Sequence, residues 1–554
     1  MSDALTYELT SEALIPTYRQ PQLGTRVLSL PNTSFTKSDV MGIALDAIGV
    51  KYLLHFENIL VIMSTNDAVA LTQFTFLASL LTYVVYYRYL HPLANVPGPF
   101  WAALTNIWWA RTAATRDAHI RTLQLHERYG NIVRIGPNDI IICEPNAFKI
   151  VYGIGNKYRK SDFYEPLQGD LKWDLTAERD EALHRMERRL VQRAYSMDAL
   201  KSHEDYVTTS IDKWIDRMMG LTGNVINIGH WLQLYAIDTI TAITFSTPFD
   251  FVTAGADDGT LAKAQEFLST ASWIGYLRWV ARLHDLLIPI FGVWLGHGVR
   301  RNNFRSLTEQ KVKERLAKTD VHGDILDHLL EVHKKKPNEY SHSDMVSTLT
   351  SNIFAGSDTT AIALRSMVWN LLKHPDKFER FMTELEERKS AGLLSMPVRF
   401  EEAQKWPYLQ AIMFEAIRIH SPFALHLPRV VPEGGLLVKN KYFLPKGTCV
   451  GTNPWAIHHS KEVFGPDADK FVPERWLDPA KKGDYQRFFF GFGGGSRTCL
   501  GRNIVWMEMS MLLPTLFNAF DISLVSPDKP LKVRNVFLAI QDGPEVILER
   551  RSEA

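Results

Sequence analysis

Of the three cysteines in this 554-residue chain, Cys143, Cys449 and Cys499, only Cys499 lies where its sulfur could do chemistry. It ends the run Phe492-Gly493-Gly494-Gly495-Ser496-Arg497-Thr498-Cys499-Leu500-Gly501, a glycine-rich loop leading into a helix. A cysteine at a helix N-terminus beside an arginine has its thiolate favoured by the dipole and by the charge. The glycines let backbone N–H groups approach the sulfur and let a flat cofactor lie close above it. A thiolate bound to haem iron pushes electron density onto the metal and favours O–O cleavage. A dinucleotide loop is the competing reading, but G-x-G-x-x-G from Gly491 fails at Ser496 and no βαβ unit precedes it. Cys143 and Cys449 form no C-x-x-C pair, so they point neither to zinc nor to a disulfide framework and read as core or strand residues.

Other groups acquire meaning beside this loop. Glu415 and Arg418 stand at i, i+3 and can pair on one helix, although E-x-x-R alone says almost nothing. Ala355-Gly356-Ser357-Asp358-Thr359-Thr360 interrupts a long apolar helix. A glycine and an acid–alcohol pair cost helix stability, and a solvent-facing polar face is the bland account. His184-x-x-x-Arg188, Leu427-Pro428-Arg429 and Phe471-x-Pro473-Glu474-Arg475-Trp476 complete the set.

The cysteine loop resembles the signature F-x-x-G-x-R-x-C-x-G of the cytochrome P-450 family of haem-thiolate monooxygenases, met at Phe492, Gly495, Arg497, Cys499 and Gly501. The resemblance covers roughly residues 91–550, and VPGPF, RIGPND, YRKSDFY and NPWAIHHSKEVFGPDADKFVPERW look like the fungal secondary-metabolism, pisatin-demethylase-like group. It implies haem b with Cys499 as axial iron ligand, Phe492 packed on the thiolate side and Arg497 on a propionate. It likewise implies that His184, Arg188 and Arg429 hold the propionates, although the family more often has tryptophan where His184 stands. Glu415, Arg418 and Arg475 would form one cluster beneath the haem. Gly356 would leave room for dioxygen, with Asp358 and Thr359 passing protons to it. Electrons would come from NADPH through a membrane-bound reductase, docked on Arg185, Arg189, Arg193, Lys481, Lys482, Arg487 and Arg502. The implied pocket draws on the loop around Leu171–Leu175, the 240–300 region, Phe354, Phe423, Leu425, Leu427, Phe537 and Leu538, with His426 as its polar candidate. That apolar lining implies a hydrophobic natural-product scaffold. A haem-thiolate isomerase or dehydratase needing neither dioxygen nor reductase is the alternative, disfavoured by the intact Asp358–Thr359 pair. A haem-binding sensor is disfavoured by the oxygen groove and the missing regulatory domain.

These residues need a scaffold, and the rest of the chain describes one. Charged residues balance at 62 basic and 61 acidic, which argues against nucleic acid as a partner. Hydrophobic residues make up 46%, enough for a large core. Ala68 to Tyr87 carries no charge and matches the ~30 Å of a bilayer core; a buried core helix is the other reading. Tyr83, Tyr86, Tyr87 and Tyr89 crowd its end as an interfacial belt does, and Arg88 and His91 follow as on a cytosolic flank. The expected organisation is an extension at 1–67, a transmembrane anchor at 68–87, a proline-rich elbow at 88–100 and a catalytic domain at 101–554. Location in the endoplasmic reticulum membrane, single-pass with a cytosolic catalytic domain, follows. Residues 1–62 read as a gene-model extension upstream of Met63, and Asn32 heads a glycosylation sequon that matters only in the lumen. Helical spacing is expected over Asp117–Tyr129, Thr176–Tyr195, Glu204–Gly220 and Asp344–His374, with short strands at Ile132–Ile135, Ile140–Ile142, Leu436–Val438 and Thr448–Val450. The fold class is mainly α with small β-sheets.

Overall fold

The computed structural model describes residues 65–168, 175–291, 297–317 and 321–551. The expectations placed on residues 1–64, on Asn32 and on Leu171 to Asp174 lie outside them. The chain divides into two compact units, 1–81 and 82–554.

The apolar segment forms a helix over Thr65–Val85 that continues as a wider turn through Tyr86–Leu90. No residue of Thr65–Val85 is buried, which removes the core-helix reading. It is long and apolar enough to cross a membrane, and it outruns the expected Ala68–Tyr87 span at both ends. The helical turns end at Leu90, and Pro92 is the first residue beyond them unable to continue a helix. Arg134, 2% exposed, ties this elbow to the first sheet. It donates to the carbonyls of Tyr87 at 2.9 Å and Pro137 at 2.7 Å. Gly98 is needed here, since a Cβ on it would meet the Arg134 carbonyl oxygen at 2.2 Å.

Helices dominate the second unit, as expected of the fold class. The 32-residue helix His342–Lys373 is buried over most of its length, polar residues such as Asp358 and Arg365 included. Ser341 caps it reciprocally with Asp344, at 3.2 Å from the Asp344 N–H and 2.9 Å back to the Ser341 N–H. It packs along the helices Ile228–Phe245, Pro407–Ile419 and Arg502–Ala519. Ala118–Tyr129 and Glu204–Met219 match their expected segments. The segment Thr176–Tyr195 does not, for its helix covers only Glu181–Val191. Asp180 caps its start by accepting from the N–H groups of Ala182 and Leu183 at 2.8 Å, and beyond its end Gln192–Tyr195 tightens to a 3₁₀ turn.

The small sheets lie at the edges of this bundle. One orders Ile132–Arg134, Asp139–Ile142, Cys449–Gly451 and Arg429–Val430 side by side. Asp139–Ile142 runs parallel to Cys449–Gly451, with Ile140 opposite Val450. Arg429 also faces Lys160 across an isolated antiparallel bridge, so two cations far apart in sequence become neighbours.

Candidate active site around Cys499

The cysteine loop closes on itself when the Cys499 N–H donates to the Phe492 carbonyl at 2.8 Å. Gly493 and Gly495 take φ of 70° and 60°, which a side chain would resist. A Cβ on Gly495 would stand 2.7 Å from the Tyr152 carbonyl oxygen. The Phe492 ring packs against Trp506 at 6.0 Å, under the Arg502 guanidinium at 5.9 Å. The helix Arg502–Ala519 starts three residues past the cysteine, with Gly501 as its N-cap.

Cys499 has exposed surface, yet protein encloses it closely enough for burial to raise its thiol pKa. The N–H groups of Gly501 and Arg502 and the charges of Arg188 and Arg502 oppose that rise. The sulfur thus faces an interior cleft in which the surrounding dipoles and cations favour its anionic form. A Cβ on Gly501 would meet only the Cys499 sulfur, at 4.0 Å, so the chain leaves space beside it.

Cations gather at one side of this cleft. Burial, then Arg497, Lys160, Arg188 and Arg429, holds the His184 imidazole down to about 3. Arg188 donates to the Thr498 carbonyl at 2.7 Å, and Arg497 pairs with Glu181 at 2.6 Å. Nη1 of Arg497 is buried without a partner among the described residues. Arg429 is buried, its guanidinium 5.4 Å above the Tyr152 ring. The groups present are a cysteine thiol and a crescent of cations.

Residues 96–548 match the family model described as Cytochrome P-450. The chain belongs to the cytochrome P-450 family. Cytochrome P-450 monooxygenase hepC of Aspergillus oryzae is 40% identical over 462 residues, covering 80% of this chain and 90% of that protein. Cytochrome P-450 monooxygenase cicH of Emericella nidulans is 34% identical over 494 residues, covering 86% and 98%. This P-450 is accordingly an oxygen-incorporating oxidoreductase that uses haem, dioxygen, a substrate and electrons from a redox partner. The residues fit that cofactor: Cys499 can ligate the iron, and Lys160, Arg188, Arg429 and the unpartnered Arg497 Nη1 can meet two carboxylates. The isomerase and sensor alternatives gain nothing from these relatives.

Glu415, Arg418 and Arg475 of this P-450 are brought together around one carboxylate. Glu415 Oε1 accepts from Arg475 Nε at 3.0 Å and from the Val472 N–H at 2.8 Å. Its Oε2 accepts from Arg418 Nε and from the Trp476 indole, both at 2.8 Å. Arg418 spends Nη1 on the carbonyls of His458 and Ala468 at 2.6 Å each. Every charge here is fully buried or nearly so, and each is satisfied. Removing one partner leaves a bare buried charge, which typically costs about 3–5 kcal/mol.

The long helix carries the oxygen-groove residues, and one of them acts differently from expectation. A Cβ on Gly356 would meet Ile240 Cγ1 at 2.8 Å, so this glycine lets Ile228–Phe245 pack close. Its missing side chain does not open the cleft. Ala355 is exposed and Thr359 half-buried, on the same part of the helix as the half-buried Phe354 and Gly356, and the Thr359 hydroxyl donates to the Ala355 carbonyl at 2.7 Å. Asp358 is 3% exposed, its burial pushing the carboxyl pKa up against hydrogen bonds from Gln233 and Gln265.

Phe354, Phe423 and Leu427 are half-buried and keep surface to offer a ligand. Leu425, Phe537 and Leu538 are covered, Phe537 standing 5.7 Å from Phe423 and 6.2 Å from Phe163. His426 neither lines the pocket nor faces solvent: it packs against Trp109, with the Tyr276 hydroxyl 3.4 Å from its Nδ1. Cys143 donates to the Ala456 carbonyl at 3.3 Å, as a core residue. Lys160, Glu181, Gln233, Gln265 and Trp476 escaped the sequence reading. Of these Lys160 left a trace within the quoted YRKSDFY, and Trp476 one as the last residue of the quoted Phe471–Trp476 segment, where its indole bond to Glu415 was not foreseen.

Proposed function

We propose that this P-450 inserts one oxygen atom into a hydrophobic natural-product scaffold in fungal secondary metabolism. Haem held by the Cys499 thiolate supplies dioxygen activation, one oxygen atom going to the substrate and the other leaving as water. Arg188, Arg429, Arg497 and Lys160 hold the propionates, and His184 stays neutral among them. Phe354, Phe423 and Leu427 orient an apolar substrate beside the groove. The Thr359 hydroxyl donates a hydrogen bond to the Ala355 carbonyl, so its oxygen lone pairs can accept from a donor in the cleft. Asp358, one residue back, brings protons from the solvent side. The observation that carries this reading is that partly exposed hydroxyl on a buried helix, beside a buried acid.

The electron donor is an NADPH-dependent flavoprotein reductase at the endoplasmic reticulum membrane, with the catalytic unit in the cytosol. Arg185, Arg189, Lys481, Lys482 and Arg502 are exposed and support such a docking face. Arg193 is exposed too, but on the 3₁₀ turn beyond the helix, and Arg487 is partly spent on Asp484 at 2.9 Å. Charge of this kind speeds encounter more than it tightens binding.

The test is oxygen and electron accounting with reductase and a panel of terpenoid, polyketide and alkaloid substrates. Thr359→Ala should bind haem and substrate and draw electrons, but lose product and release hydrogen peroxide. A positioned proton donor typically contributes ~10²–10⁴-fold. Cys499→Ser should abolish the thiolate-type spectrum of the carbonyl-bound ferrous protein, and Cys143→Ser should keep it. Product formation without NADPH or dioxygen would overturn the reading.

A further inference from the structure

Asp358 is held by a chain of amides that ends on a buried guanidinium. Its Oδ1 accepts from Nε2 of Gln233 at 2.5 Å and from Nε2 of Gln265 at 3.1 Å. Gln233 belongs to the helix Ile228–Phe245 and Gln265 to Thr260–Ile274. Gln233 is oriented by a second bond, its Oε1 accepting from Arg365 Nη2 at 3.0 Å. With the carbonyl end committed to a cation, only the N–H₂ end can face the carboxylate. Arg365 is itself 3% exposed and fixed to the Gly229 carbonyl at 2.8 and 2.6 Å. It follows Asp358 by seven residues, about two helical turns, so the amide spans a gap that the two charges do not close.

We propose that Gln233 and Gln265 are positioning residues for proton delivery, holding the Asp358 carboxylate ionised and in one orientation between turnovers. The inference rests on Asp358 being the proton carrier. Burial raises the Asp358 pKa, whereas the two amides and Arg365 oppose that rise and favour its anion. Asp257 is the nearby charge that opposes them, and Asp542 and Arg534 act on Arg365 from the far side. Both glutamines are half-buried while Asp358 is not reachable by solvent, so they stand where a proton must pass. Gln265 also shares its helix with Phe267, packed edge-on against Phe354 at 6.2 Å, so one helix both borders the pocket and holds the acid.

The experiment uses the haem-loaded enzyme with its reductase and compares Gln233→Leu, Gln265→Leu, Gln233→Glu and Asp358→Asn. Two readouts are followed against pH: turnover, and the infrared band of the protonated carboxyl that disappears in Asp358→Asn. Loss of either amide should move the pH of half-ionisation up by about one unit and slow turnover by about 3- to 10-fold at neutral pH. Gln233→Glu keeps the shape and the Arg365 contact but sets a second carboxylate against Asp358, so it should move the midpoint further than Gln233→Leu. A merely steric role predicts that Gln233→Glu behaves as wild type, and that result would overturn the proposal. If Asp358→Asn slows turnover while both leucine variants leave the midpoint unchanged, the positioning role fails alone. If Asp358→Asn turns over normally, the proton-carrier assignment fails first.

Discussion

Glu508 shows how far one residue can depart from its ordinary chemistry. It is 0% exposed on the helix that begins beside Cys499, and neither carboxyl oxygen has a hydrogen-bond partner among the described residues. Burial pushes its pKa well above the usual carboxylate value. Above about pH 4.5 the unfolded chain therefore ionises Glu508 while the folded chain keeps it neutral. Folding thus loses stability as pH rises above that value. Glu508→Gln, which cannot ionise, should gain stability relative to wild type as pH rises above about 4.5. Denaturant melts across that range read this out, and a pH-independent difference between the two proteins would contradict it. Nothing in the sequence marks Glu508, because a glutamate in a helix looks the same whether it meets water or a core.

Helices meet where their side chains allow, and Gly356 fixes one such meeting. Alanine there would gain about 1 kcal/mol of helix propensity but press a methyl into Ile240, and overpacking typically costs 1–3 kcal/mol. Gly356→Ala should therefore be no more stable than wild type, and adding Ile240→Val should recover more stability than the single variants predict by addition. A double-mutant cycle of melting curves measures that coupling. Purely additive effects, with lost oxygen chemistry at unchanged stability, would instead favour the room-for-dioxygen role first read from the sequence. The Glu415 cluster is the contrasting case. Its i, i+3 pair and the Arg475 segment were legible, and the structure joins them, because a fully buried carboxylate must collect every donor within reach.

At the scale of the molecule, the boundary between the units falls at Leu81 and Thr82, inside the long apolar helix. The residues after it serve the second unit: the Tyr83 hydroxyl donates to the Leu104 carbonyl at 2.6 Å, and the Tyr87 carbonyl receives Arg134. Chains starting at Thr82 and at Arg88 should both leave the membrane fraction and carry haem. The one starting at Arg88 should melt lower, since Arg134 then keeps a buried donor with one acceptor fewer. Flotation, haem content and melting temperature decide it, and loss of haem from both would place the apolar helix in the catalytic core. The family, the helical class and the apolar segment followed from the sequence by itself, because each is written in fixed spacing or in composition over a continuous stretch. What only the tertiary structure decided were the meetings of distant residues. Lys160 beside Arg429, Glu181 on Arg497, two glutamines on Asp358 and His426 turned toward Trp109 rather than the pocket all depend on which helix and strand faces pack together. No local pattern records that packing, since an amide or a lone histidine carries no periodic signal and its role is set by whatever charge the fold places opposite it.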